Sequence, residues 1–441
     1  MASESAVFPV LLLIAGGLSV LCLFGTFRCL RRRRLIDDTP TSKTQGVFIG
    51  LVELKGSAES ESPLSSFLAA VTCVYYVWRV QEHWSRTVTE TYRDAQGRSQ
   101  TRTRHESGWT TVAEGREAPA FYLRDDTGTI RILPTGAQVE ALSVFDRTCT
   151  PAEALYYGKA PVGAVANSDH RRRFAETAIP LHAALYVMGQ ARERTDVVAP
   201  EIAAAPEAAL FLISTRTEQG VRAGYGRWSV AWTVAGLLAA LAVPLLVIPG
   251  VRAGPGGILP ACTLTAGLYL ILAGAGWIWT VFNSLITLQQ RVRQAWAQVD
   301  IQLRRRHDLI PTLVAAVQGY QAHEAAVQAA ITCLRAQLSA TPTGVPGPDY
   351  AGCGPALRAA VESYPELKAN ELFLRLQQNL TDAEQRISLA RSYFNAIATF
   401  FNTRLERVPD RFVAGLARLR PATLMLAADF ERTPIQIRLV E

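Results

Sequence analysis

His323 and Glu324 stand side by side, and Glu384 and Arg391 lie on a later helix-forming stretch. An apposed histidine and glutamate can act as acid and base. The same residues on packed helices also make an ordinary surface ion network, and that reading carries more weight, because ion networks perturb titration without catalysing anything. Asn283, Asn370, Asn395 and Asn402 occur along helical stretches. A buried asparagine fixes helix register at some cost in stability, and that role is favoured over ligand recognition. Asp125-Asp126 precede Thr127-Gly128, a pattern that builds a turn more often than a cation site. Nucleophile elbows, P-loops, HExxH and paired-glycine dinucleotide motifs are missing from the sequence. The seven cysteines include no C-x-x-C pair, and the six histidines are scattered. Neither a metal site nor a disulfide framework is indicated, which suits a reducing compartment. No catalytic residue, cofactor or metal is assigned, and no enzyme activity is expected.

The elements around these residues are dominated by three uncharged apolar runs, Val7–Phe27, Trp228–Ile248 and Ala261–Phe282. Crossing a bilayer takes about 20 residues, so each is long enough. They raise the apolar content to 49% and the mean hydropathy to +0.12. Arg28 and Arg31, Arg32, Arg33 and Arg34 follow the first run directly, with no small-x-small cleavage pattern between. That is the layout of an uncleaved anchor with its N-terminus outside and its arginines in the cytoplasm. The short Gly- and Pro-containing stretch Pro249–Pro260 reads as a hairpin between the second and third spans. Trp228, Trp232, Trp277 and Trp279 would sit at one interface, where indoles collect. These expectations give a multi-pass membrane protein with both extramembrane regions on the cytoplasmic side. The net charge of +7 is largely juxtamembrane arginine, suited to topology and to anionic lipid heads. Nucleic acid is not an expected partner, since no module for reading it is visible.

Residues 36–226 show mostly period-two patterning. Gly46–Leu54 alternates, and Thr72–Val80 is aromatic and β-branched, as in a central strand. Thr87–Tyr92 and Arg98–Arg104 flank Asp94-Ala95-Gln96-Gly97, a hairpin signal, with arms polar on both faces. Ala120–Leu123 and Thr129–Leu133 flank a second tight turn. Leu185–Val187 and Leu210–Ser214 complete the strands, and Pro63–Leu68 and Gly136–Leu142 read as short helical turns. The pattern predicts a small, mostly antiparallel β domain. Gly46–Gly56, Pro63-Leu64, Cys73–Tyr76, Trp109, Phe121–Gly128, Pro134, Glu176–Pro180 and Tyr186–Gly189 together resemble the GIDE, or beside-a-membrane, domain of Mulan-type mitochondrial E3 ubiquitin ligases. In those ligases transfer belongs to a C-terminal RING with eight zinc ligands. No such ligand set exists in this sequence, so the resemblance implies the companion domain and disfavours ligase activity.

After the third span, residues 284–441 read as helical. Val292, Ala295, Trp296, Val299 and Leu303 fall on one face, where Trp296 suits core packing better than a ligand platform. Pro311 is expected to kink or restart the helix. A second helical stretch runs from about Thr312 to Leu338, and Ser339–Pro355 reads as a loop. A helix over about Glu366–Arg407 carries Leu376, Leu380, Ala383, Ile387, Ala390, Phe394, Ile397, Phe401 and Leu405 at alternating four-three spacing, the seam of an antiparallel helical bundle with long helices. Asp410–Leu419 suits one more helix and Ile435–Val440 a strand edge. Phe282–Leu285, Val292–Val314, Gly319-Tyr320, His323-Glu324, Tyr364–Asn370, Glu384, Ala390-Arg391, Tyr393–Asn395 and Phe401-Asn402 resemble the LemA family of membrane-anchored helical proteins. Thr312 replaces the family's usual Asn, and His307 its usual Tyr. The resemblance implies a noncatalytic scaffold or partner-binding protein for envelope organisation, stress response or membrane remodelling. Its partners would be membrane lipids and other membrane or envelope proteins, with a homo-oligomer open through the bundle. The alternative is an enzyme or ligase-associated protein acting through the GIDE-like domain.

Overall fold

The computed structural model describes residues 2–93, 99–161, 163–194, 199–206, 210–247, 255–318 and 371–425. The chain divides into two units, Thr41–Val221, and Met1–Pro40 together with Arg222–Glu441. The elements in order are α1 (Ala2–Asp37), β1 (Thr41–Ser42), β2 (Gly50–Glu59), β3 (Leu64–Ser65), β4 (Thr72–Arg93), β5 (Ser99–Glu117), β6 (Phe121–Arg124) and β7 (Thr129–Ile132). Then come β8 (Gln138–Glu140), β9 (Leu142–Cys149), α2 (Ala154–Gly158), β10 (Ser168–Pro180), β11 (Ala184–Glu193), β12 (Pro200–Ala203) and β13 (Leu212–Ser214). The helices α3 (Glu218–Val247), α4 (Pro255–Gln318), α5 (Glu371–Glu406) and α6 (Asp410–Leu416) follow.

In the Thr41–Val221 unit, β2, β6, β7, β12 and β11 pair in sequence, and β11 pairs back onto β2, so these five strands close a ring. Closure leaves these strands without a free edge. Inward-facing Val52, Leu54, Phe121, Leu123, Ile130, Ile132, Val187 and Ile202 fill the interior, following the alternation of strand side chains. Gly56 lies where β2 meets β6. A Cβ there would fall 2.2 Å from the Arg124 carbonyl oxygen, so only glycine fits without a backbone shift. β3, β4, β10 and β9 form a second, antiparallel sheet, and β5 adds to β4. The arms running from Thr87↔His105 to Thr91↔Thr101 are exposed apart from Val88, as their two polar faces require. The Asp94–Gly97 turn lies outside the described residues.

Two short segments differ from the sequence expectation. Pro63–Leu68 supplies β3, and Gly136–Leu142 supplies β8 and the start of β9, where helical turns were expected. Both segments gain edge pairings, with β4 and with β13 and β10. Those pairings satisfy backbone groups that a lone helical turn would leave to solvent.

In the other unit, α1, α3 and α4 each include a stretch long and apolar enough to cross a membrane, Ile14–Asp37, Glu218–Leu245 and Leu259–Leu309. Their contacts use small residues and hydroxyls. Ser19 Oγ donates to the Gly236 carbonyl at 3.3 Å, Thr26 and Thr233 hydroxyls meet at 3.2 Å, and Tyr269 donates to the Thr233 carbonyl at 3.1 Å. A Cβ on Gly276 would lie 2.1 Å from Phe27, and one on Gly25 would lie 2.8 Å from Trp232. Close approach through small residues is how apolar helices pack where water supplies no driving force. Their large side chains face outward: Leu264 is 74% exposed and Ile271 69%.

α4 starts at Pro255, inside the expected hairpin, and runs unbroken through Pro311 to Gln318. The apolar run and the amphipathic stretch are therefore one helix, which does not restart at Pro311. α5 packs antiparallel on α4. Val281 and Leu285 cluster with Leu405 and with Val413 of α6, while Trp296 meets Phe394 edge-on at 5.5 Å. Val292, Ala295, Val299 and Leu303 on α4 and Leu380, Ala383, Ile387, Ala390, Phe394, Ile397 and Phe401 on α5 are buried. Residues 319–370 and 426–441 lie outside the described residues, and with them the expected loop, the terminal strand and most of the expected second helix.

Candidate functional site

The α1 arginines divide by environment. Arg28 and Arg31 are exposed. Arg32 lies 5.8 Å from the Tyr225 ring, Arg33 sits 3.9 Å from the Asp37 carboxylate, and Arg34 lies 5.8 Å from the Trp277 ring. Arg34 also pairs with Asp410 at 3.3 Å. Of the five candidate topology and lipid arginines, Arg32, Arg33 and Arg34 are thus engaged by protein groups.

Asp410 and Asp38 organise a charged junction between α1, α4, α5 and α6. Arg404 Nε donates to Asp410 at 2.5 Å, and its Nη1 pairs with Asp38. The other Asp38 oxygen accepts from Ser284 Oγ. Arg291 donates to Thr39 Oγ1 at 2.5 Å and to the Asp38 carbonyl at 3.4 Å. Burial opposes the charge on Arg404, but Asp38 and Asp410 outweigh it and raise its pKa above the ordinary value. Guanidinium does not deprotonate in proteins, so Arg404 serves as a fixed charge. Its chemistry is positional: it ties the foot of α1 to the helices that follow the third apolar stretch. Sequence reasoning missed it because Asp38 and Arg404 are 366 residues apart. The one local signal was Asp37-Asp38, placed directly after an arginine run.

Among the described residues, Asn283, Asn395 and Asn402 all bond to backbone. Asn283 is exposed and donates to the Trp279 carbonyl one turn back. Asn395 and Asn402 instead grip the backbone of the segment after α6. Asn395 donates to the Met425 carbonyl and accepts from the Met425 amide, both at 2.9 Å. Asn402 does the same with Ala422, at 2.9 and 2.8 Å. Glu384 and Arg391 are half-buried on α5, each with interactions of its own. His323, Glu324 and Asn370 lie outside the described residues.

In the β unit, Asp125 is a turn residue. It accepts from the Thr44 amide and hydroxyl, from the Thr127 amide and hydroxyl, and from the Gly128 amide. Burial works against its charge, but these hydrogen bonds win and hold its pKa at about 2. Asp126 pairs with Lys43. The sequence pattern gave no sign of a buried ion pair between β4 and β10. Arg172 donates to Glu82 at 3.0 and 3.2 Å and to the Tyr156, Pro161 and Gly163 carbonyls. Glu176, also buried, accepts from Ser66 Oγ and from the Leu68 and Ala69 amides. Each group is saturated by neighbours of the fold, as buried charge requires. His83 and Ser85 both bond Asp169, at 2.6 and 2.7 Å; a nucleophile–base pair would need the serine on the histidine. Among the described residues, no group of three or more His, Cys, Asp or Glu side chains could hold a metal ion.

Residues 295–439 match the family model described as LemA family. Residues 89–248 match the GIDE family model, described as E3 Ubiquitin ligase. This second match begins within β4 and ends beyond α3, so it covers the exposed hairpin, most of the β unit and one apolar helix. The GIDE-like motifs between Gly46 and Tyr76 precede it. Protein LemA of Metamycoplasma hominis is 25% identical over 158 residues, covering 35% of this chain and 72% of that protein. No solved structure matches the chain. The chain thus joins a C-terminal region matching the LemA family to a preceding region matching the GIDE family.

Proposed function

We propose that the chain is a noncatalytic, multi-pass protein of a bacterial inner membrane. It would act as a scaffold or partner-binding protein in envelope organisation, stress response or membrane remodelling. The observation that carries this reading is the outward exposure of large apolar side chains along α1, α3 and α4, on helices whose mutual contacts use glycine and hydroxyls. In water such surfaces would be a severe aggregation liability; in hydrocarbon they are the stable arrangement. The LemA-family match in the region that continues from α4 supports the membrane-associated reading. The buried charges Arg404, Asp38, Asp410, Arg172 and Glu82 are held by one another, which suits a rigid support better than a reaction centre.

The arginine bias after α1 favours the cytoplasmic side for both extramembrane regions, with the N-terminus outside and the helical region extending into an antiparallel bundle. Membrane lipids and other envelope proteins are the proposed partners. The test is thiol labelling of sealed inside-out vesicles, with single reporter cysteines at exposed Thr103 and Thr399 in a chain whose own cysteines are replaced by serine. Labelling of both from the outer face of such vesicles agrees with the reading; labelling of one alone overturns the shared side.

A second reading is kept by the E3 Ubiquitin ligase description of the match at residues 89–248: the β unit would serve as a companion module to a ligase. Crosslinking in intact membranes separates the two. Recovery of envelope proteins supports the scaffold, whereas a ubiquitin-type conjugating partner supports the companion module.

A further inference from the structure

Asn395 and Asn402 are seven residues apart on α5, which places them about 10.5 Å apart along the helix axis. Ala422 and Met425 are three residues apart, a span of about 10 Å when the chain is extended. The two spacings match, so each side-chain amide meets one residue's N–H and C=O together, and the segment runs antiparallel to the helix. Between the two grips, Thr423 and Leu424 are exposed; Met425 is buried. The recognition is therefore of main chain at two points and of one apolar side chain. Nothing in it reads the two residues between.

We propose that Asn395 and Asn402 form a binding site for an extended polypeptide segment, occupied in the structure by the chain's own Ala422–Met425. The ligand class follows from the contacts. It is an extended strand with a small non-proline residue at the first grip, any two residues next, and an apolar non-proline residue at the second grip. The chain's own segment is the resident occupant, and a partner's segment of this kind enters by replacing it. Side-chain amides that hold backbone at a fixed interval are a sequence-tolerant way to bind a strand, because every non-proline residue carries the same donor and acceptor. This inference is independent of the membrane reading and stands on the α5 geometry alone.

The test uses the full chain in detergent and a labelled peptide spanning residues 418–426. Ala422→Pro with Met425→Pro deletes the two N–H donors of the resident segment and loosens it. The loosened chain is expected to bind the peptide at least about tenfold more tightly than the unaltered chain. Adding Asn395→Ala and Asn402→Ala should remove that binding. A peptide with the Thr and Leu exchanged should still bind, and one N-methylated at the Ala and Met positions should not. In the unaltered chain, excess peptide should speed hydrogen exchange at the Ala422 and Met425 amides. Failure of the loosened chain to bind while its helical circular dichroism is unchanged overturns the proposal. So does binding that survives N-methylation. If the loosened chain misfolds, absence of peptide-dependent exchange in the unaltered chain overturns it instead.

Discussion

At the residue scale, the charged junction behaves as a unit because each member is buried against an opposite charge. Arg404 faces both Asp38 and Asp410, with all three side chains nearly out of solvent. Arg404→Ala would remove the cation paired with Asp38 and leave Asp410 only Arg34, and the expected cost is about 3–5 kcal/mol, read as a shift in urea unfolding of the helical signal. Asp125 makes a pH-dependent contribution. Its folded pKa of about 2 lies below the unfolded value of about 3.9, so its stabilisation is complete above the unfolded value and is lost as pH falls through 2. Asp125→Ala should therefore lower the unfolding temperature of the β signal at pH 6, and the gap to the parent should narrow between about pH 4 and pH 2. Part of this was legible in the sequence. Asp125-Asp126-Thr127-Gly128 reads as a turn because the Thr127 and Gly128 donors are local, while the Thr44 donors, 81 residues away, left no sign. Asn395 and Asn402 were visible as unusual residues, but their partners lie 30 and 20 residues onward in a segment without periodicity, so their role was not.

At the element scale, periodicity carried what could be read. The α5 seam from Leu380 to Phe401 keeps its four-three spacing and its burial together, because one helix packs on one partner over successive turns. Ile397 is fully buried there. Ile397→Ala should cost about 2–5 kcal/mol, against no more than about 0.5 for exposed Thr399→Ala, in the same unfolding experiment. β9 and β10 left a weaker trace. β9 has solvent on much of both faces, and in β10 Arg171-Arg172-Arg173 hides the fully buried Arg172 among like neighbours. The apolar helices offer a matched pair of tests. A side chain at Gly276 would collide with Phe27, whereas Gly274 has nothing within 4 Å. Gly276→Leu should weaken α1–α4 packing and lower the detergent unfolding temperature; Gly274→Leu should leave it nearly unchanged.

At the scale of the whole molecule, the sequence marked three apolar runs and two extramembrane regions from length and charge alone, and the helices found there have the required length and composition. It could not distinguish arginines that meet lipid from those that meet protein. Of the five, only Arg28 and Arg31 are exposed, so Arg28→Gln with Arg31→Gln should reduce anionic lipid copurifying with the chain, by a free energy of about 1 kcal/mol per residue. Arg33→Gln, at a residue already paired with Asp37, should change the lipid content less. The length of α4 has a mechanical consequence. Its 64 residues make a rod of about 95 Å, stiff from hydrocarbon to α5. A thinner bilayer is met by leaning such a helix, and a lean of about 10° displaces a point about 50 Å along it by roughly 9 Å. On the proposed membrane reading, lateral stress in the lipid and the footing of α5 are thereby placed in series along one continuous helix.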